Sequence, residues 1–141
     1  MKKSIFILFA FFSIASFAQN WETNFKAAQE TATKENKHVL IVFQGSDWCA
    51  PCMKLEQEIW NTADFKSFAK ENLVLVKADF PRRRKNKLSK EQQKHNDALA
   101  EQFNPNGFFP LVLLLDKSGK VLKKLGYEGV SPKEYIKLLA L

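Results

Sequence analysis

The chain holds only two cysteines among its 141 residues. Both lie in one stretch, Cys49-Ala50-Pro51-Cys52, which leaves no material for a framework of structural disulfides or for a zinc site built on four thiolates. Histidine is equally scarce. His38 and His95 sit far from the spacing of a mixed Cys/His metal site and read instead as a strand-start residue and a solvated helix position. The residue after the second cysteine is Met53 rather than histidine, which excludes covalent haem attachment. Five glycines and five prolines form no low-complexity segment, and neither an internal repeat nor a second domain is visible. Long apolar runs are missing too: residues 5–18 fall short of the roughly 20 that a spanning helix needs. No cysteine follows that run, so lipid attachment at a new amino-terminal cysteine is excluded.

Acidic residues are in deficit, giving a formal net charge of +7. Removing residues 1–18 takes away Lys2 and Lys3 and leaves +5, and the segment 80–98 alone carries +5 through Arg82, Arg83, Arg84, Lys85, Lys87, Lys90 and Lys94 against Glu91 and Asp97. The excess is therefore one local patch on an otherwise balanced protein, which argues against nucleic-acid binding by the surface as a whole. The run 82–87 reads either as a solvated insertion, as charge runs usually are, or as a cationic element of the active-site edge.

Lys2 and Lys3, an apolar stretch over residues 5–14, and Ser16-Phe17-Ala18 have the order of a secretory signal with a small-X-small cleavage site. We expect residues 1–18 to be a signal peptide and 19–141 to be the single folded domain, exported to a periplasmic or extracellular space without stable membrane insertion. Disulfides persist in such a compartment, so a reactive cysteine pair there needs a dedicated electron source or sink.

The pair itself reads as reagent rather than staple. A helix starting just after Trp48 puts Cys49 at its first turn, where unpaired N–H groups and the helix dipole favour an anion. Thiols so placed have pKa values of roughly 3.5 to 7.5, against about 8.5 for a free thiol. Cys52 lies one turn deeper on the same side and is expected to resolve what Cys49 attacks. Pro51 suits a first-turn position, where a missing N–H costs no hydrogen bond.

Apolar periodicity predicts helices over residues 21–36, 49–60, 62–69, 89–103 and 131–139, and strands over 38–43, 73–78, 111–115 and 121–125. Ser89 with Gln92 and Ser131 with Glu134 have capping-box spacing, and Tyr135, Leu138 and Leu139 form the predicted buried face of the last helix.

This order, with Trp48-Cys49-Ala50-Pro51-Cys52 after the first strong strand and Phe109-Pro110 before a hairpin, resembles the thioredoxin superfamily over nearly all of residues 21–141. The resemblance implies an α/β fold, a three-layer sandwich with a central mixed sheet and helices on both faces. It implies an exported thiol-disulfide oxidoreductase with Cys49 as nucleophile and Cys52 as resolving thiol. Partner polypeptides are then expected at Trp48, Pro51, Phe109 and Pro110, with Pro110 in a cis peptide bond and the Phe109 backbone pairing with an extended segment. It implies a monomer that acts on protein thiols and disulfides, draws electrons from a membrane thiol reductant, and has no cofactor, metal or nucleic-acid partner. Proline before Cys52 resembles reducing thioredoxins more than strong oxidants. In two places the chain departs from its relatives. Val42 and Phe43 occupy the places where many carry a buried acid, leaving Asp47 and Glu56 as candidates that read more simply as solvated carboxylates; Leu111 stands where many carry threonine. Two other functions fit the same elements: a non-catalytic binding or chaperone module, and a specialised reductant for cytochrome maturation.

Overall fold

The structure, a computed structural model, describes residues 19–140, so the signal segment expected at residues 1–18 lies outside the described residues. A two-residue strand, β1 (Trp21–Glu22), opens it, followed by α1 (Phe25–Glu35) and β2 (His38–Gln44). Next come α2 (Ala50–Leu55), its continuation as a π-helical turn (Glu56–Trp60), α3 (Ala63–Asn72) and β3 (Leu73–Asp79). A 3-10 turn (Arg84–Asn86) precedes α4 (Lys90–Phe103), the hairpin of β4 (Leu111–Leu115) and β5 (Val121–Leu125), and α5 (Pro132–Leu139).

The five strands form one mixed sheet in the order β1-β3-β2-β4-β5. β1 and β2 run parallel to β3, whereas β4 runs antiparallel to both β2 and β5. Because side chains alternate along a strand, an uninterrupted apolar run must be covered on both faces. Leu40 and Val42 of β2 point into one core with Leu55, Ile59, Trp60, Phe65, Tyr135 and Leu139, supplied by α2, its π turn, α3 and α5. Val39, Ile41 and Phe43 point into the other, with Ala28 and Ala32 of α1 and Leu99 of α4. The expected three-layer sandwich is present. The largest buried side chains, Trp60, Tyr135, Phe43 and Phe65, are fully inside, and burying each of the two phenylalanines contributes about 1.5–3 kcal/mol.

Helix starts follow local chemistry. Asn24, Thr62, Ser89 and Ser131 each accept an N–H of the first turn of α1, α3, α4 and α5. Only Ser131 and Glu134 complete a reciprocal capping box. At the other predicted box, the Gln92 side chain turns away and donates to Thr23 O (3.0 Å) and Asn96 Oδ1 (2.9 Å).

Three further expectations are corrected. Residues 21–36 are not one helix: Trp21 and Glu22 pair with Leu75 and Val76, and the helix begins only after the Asn24 cap. His95 is not solvated but half-buried, where its Nε2 accepts the Phe25 N–H (3.2 Å) and ties α4 to α1. In α5, Leu138 is exposed while Ile136 packs beside Tyr135 and Leu139.

Candidate active site

β2 and β3 are parallel, with Phe43 opposite Ala78 and Gln44 opposite Asp79, so the chain leaves both strands at one edge. There the Phe80 N–H donates to Gln44 O at 2.9 Å, extending the pairing by one step. β4 starts at the same edge, since Leu111 pairs with Phe43. Three segments meet here: residues 45–52, residues 79–87 and residues 108–110.

Gly45 O accepts the N–H groups of both Trp48 (3.3 Å) and Cys49 (2.9 Å), which turns the chain sharply from β2 into α2. Cys49 caps α2, its Sγ accepting the Cys52 N–H at 3.3 Å. Cys49 and Cys52 are joined in a disulfide, with Cα atoms 5.2 Å apart. Both are buried in this oxidised state, at 4% and 3% exposure, while Ala50 and Pro51 between them are exposed. In this oxidised state the N–H of the first turn of α2 faces the Cys49 sulfur.

Trp48 is half-buried rather than a freely exposed plate. Its Nε1 donates to Phe80 O (2.7 Å), its ring meets Phe109 edge-on at 5.4 Å, and the Arg82 guanidinium stacks 3.8 Å above it. Phe109 also meets Phe80 edge-on at 5.5 Å. The Phe109–Pro110 peptide bond is cis. Ahead of it, the buried side chain of Asn104 accepts the Phe108 N–H (2.9 Å) and donates to Phe108 O (2.8 Å), fixing the approach to β4. The structure therefore brings Trp48 together with Phe109, and places Pro51 and Pro110 in the segments that meet at this edge.

Two anchoring acids have roles not readable from sequence order. Asp47, expected to be a solvated carboxylate, is buried and accepts the N–H groups of Arg82 (2.9 Å) and Arg83 (3.0 Å) and the Asn86 amide (2.9 Å). The Arg82 backbone N–H, followed by the Asn86 amide, holds its pKa below the ordinary carboxylate range, making it a poor proton acceptor. Asp79 accepts the Ser46 N–H (2.9 Å) and hydroxyl (2.6 Å), and its carbonyl takes the amide of buried Asn96 (2.9 Å). Glu56, the other candidate acid, pairs with Lys77 at 2.9 Å, and Lys77 in turn lies 4.6 Å over Trp21. Among the described residues, no group of three or more His, Cys, Asp or Glu side chains is arranged to hold a metal.

Known proteins share this architecture. Residues 25–141 match the family model described as a thioredoxin-like domain. The chain is similar to the disulfide bond reductase DsbH of Chlamydia pneumoniae, with 34% identity over 123 residues covering 87% of this chain and 72% of that protein. It is also similar to the thioredoxin-related protein DsbJ of Chlamydia pneumoniae, at 27% identity over 77% of this chain but only 30% of that one. Among solved structures, a DsbH oxidoreductase superposes with a TM-score of 0.79 at 29% identity, covering 96% of this chain and 90% of its own. Fold, cysteine spacing and matched length agree: the chain belongs to the thioredoxin-like domain family.

Proposed function

We propose that this protein is a thiol-disulfide oxidoreductase working in the reducing direction on partner proteins, with Cys49 as the attacking thiolate and Cys52 as the resolving thiol. One observation carries the assignment: Cys49 Sγ, at the start of α2, accepts the Cys52 N–H. In the first step the Cys49 thiolate attacks one sulfur of the partner's disulfide, forming a mixed disulfide as the partner's own S–S bond breaks and its other sulfur leaves as thiolate. Cys52 then loses its proton and attacks the Cys49 sulfur. The second partner thiol leaves, and the Cys49–Cys52 bond closes. The partner has gained two electrons and two protons, and this protein has lost them. A membrane thiol reductant then restores the dithiol.

Trp48, Pro51, Phe109 and Pro110 receive the partner, whose extended segment pairs along the Phe109 backbone. Reduction rather than oxidation is supported by Pro51, a residue that resembles the one before the second cysteine of reducing thioredoxins, and by similarity to a protein named as a disulfide bond reductase. Export rests on the signal pattern in residues 1–18. Cleavage after Ala18 leaves Gln19 first and keeps β1 whole, and among the described residues no helix is long and apolar enough to cross a membrane. The domain acts as a monomer.

Single-cysteine variants test the roles. Cys52→Ser attacks but cannot release, so it accumulates covalent partner complexes that dithiothreitol dissolves, whereas Cys49→Ser neither reduces nor traps. Trapping by Cys49→Ser with wild-type turnover in Cys52→Ser reverses the assignment.

A further inference from the structure

The arginine-rich insertion is fastened to the residue next to the reactive motif. Arg82 and Arg83 donate their backbone N–H groups to the Asp47 carboxylate, and Asn86 donates its amide, so the loop is anchored to the turn that feeds Trp48 and Cys49. Arg82 also stacks on the half-buried Trp48 ring, a single contact made by a long, exposed side chain. The backbone anchor, not the stack, sets the loop's position. Because the anchor uses two main-chain donors and the Asn86 amide, no cationic side chain is consumed as a hydrogen-bond donor to Asp47. Arg82, Arg83, Arg84, Lys85 and Lys87 are all exposed, and among the described residues none of them forms an ion pair.

Two carboxylates, Asp47 and Asp79, lie at this edge, and Asp47 attracts Arg83, but the five cationic side chains outnumber them. Asp47 is engaged by the loop's own N–H groups, and Asp79 by Ser46. A solvated loop needs no buried carboxylate to hold it, and a mobile one would spread its charge over a wide volume. Here the field is fixed beside the Trp48–Phe109 contact.

We infer that residues 82–87 form a docking surface for acidic stretches flanking the disulfide of a partner polypeptide, fixed by Asp47 so that captured acidic segments lie next to Cys49. The inference rests on the reading that Cys49 attacks protein disulfides, and adds to it the chemistry of the preferred partner. The surface acts on encounter: opposite charges steer association, and the effect shrinks as salt shortens the screening length from about 30 Å at 0.01 M to about 3 Å at 1 M.

The test uses two disulfide-bonded peptides sharing one central sequence, one flanked by Asp and Glu and one by Lys, together with uncharged bis(2-hydroxyethyl) disulfide. Second-order rate constants for the reduced protein are compared as a ratio, acidic over basic, so that a general loss of activity cancels. The wild type is expected to favour the acidic peptide by about tenfold or more at 0.01 M salt, with the ratio collapsing near 1 M. The variant Arg83→Glu, Arg84→Glu, Lys85→Glu is expected to invert the low-salt ratio, and Asp47→Asn, which frees the loop, to reduce it. Equal ratios for the wild type and the charge-reversed variant, in proteins that both reduce the uncharged disulfide, overturn the inference alone. A wild type inert toward all three compounds overturns the exchange reading and the inference together. Sedimentation with phosphatidylglycerol vesicles at 0.01 M salt, without discrimination between the peptides, assigns the patch to lipid and also overturns it.

Discussion

A methyl group on Gly45 would stand 2.1 Å from Cε2 of Trp48, because the indole occupies the space that a side chain at residue 45 needs. The glycine is required by this close approach. Gly45→Ala must displace the indole from its hydrogen bond to Phe80 O and from its edge contact with Phe109. We expect destabilisation of about 1–3 kcal/mol, the usual cost of overpacking, together with slower reduction of protein disulfides. Urea unfolding and turnover check both, and an unchanged midpoint would place the indole elsewhere.

Acid should weaken the fold in a defined window. The carboxylates of Asp47, Asp116 and Glu134 are held below their ordinary pKa, chiefly by the Arg82 backbone N–H, the Ser118 hydroxyl and the Ser131 backbone N–H respectively. A lowered folded-state pKa contributes stability that is complete above the unfolded value of about 4 and lost as pH falls through the folded value. Thermal midpoints should therefore hold between pH 5 and 7 on this account and fall below about pH 4. Asp47→Asn should flatten that acid limb and speed amide exchange at Arg82 and Arg83. An acid limb identical to wild type would show that the Asp47 contacts do not form.

The β1 strand is short but tied to the core, since Trp21 meets Trp60 edge-on at 5.8 Å and carries Lys77 over its ring. Trp21→Ala should cost about 2 kcal/mol, less than for a fully buried tryptophan because Trp21 is half-buried. Its distance from the active-site edge predicts unchanged reduction of the uncharged disulfide. A stability loss below the error of a denaturant titration would mean that β1 contributes no packing.

Much of this was legible because it is local. The Ser131 and Glu134 box, the apolar run in β2 and the Cys49 to Cys52 spacing each declare themselves within a few residues, and they sufficed for the three layers and the reactive pair. What escaped depends on contacts distant in sequence. Trp21 shares helical spacing with Phe25, Ala28 and Ala32, so nothing local marks it as a strand; its partner Leu75 does. Asp47 looks like any surface acid until residues 82–86 fold back onto it. Asn104 reads as a helix stop, and its second task of holding Phe108 appears only with β4 in place. An Asp directly before the Trp48-Cys49 pair, with an arginine run just after the next strand, is the one sequence signal of this contact.

Processing is expected after Ala18, giving a mature protein that begins at Gln19, two residues before β1. Intact-mass measurement of the protein from its native host checks this. A product that retains Met1 in a membrane fraction would contradict export in soluble form.

The central claim is that the Cys49 and Cys52 pair serves as a reductant. Its equilibrium reduction potential, measured against glutathione or dithiothreitol buffers, tests this most directly. The account predicts a value near thioredoxin's, about −270 mV; a value near about −120 mV, that of a strong oxidant, would contradict it.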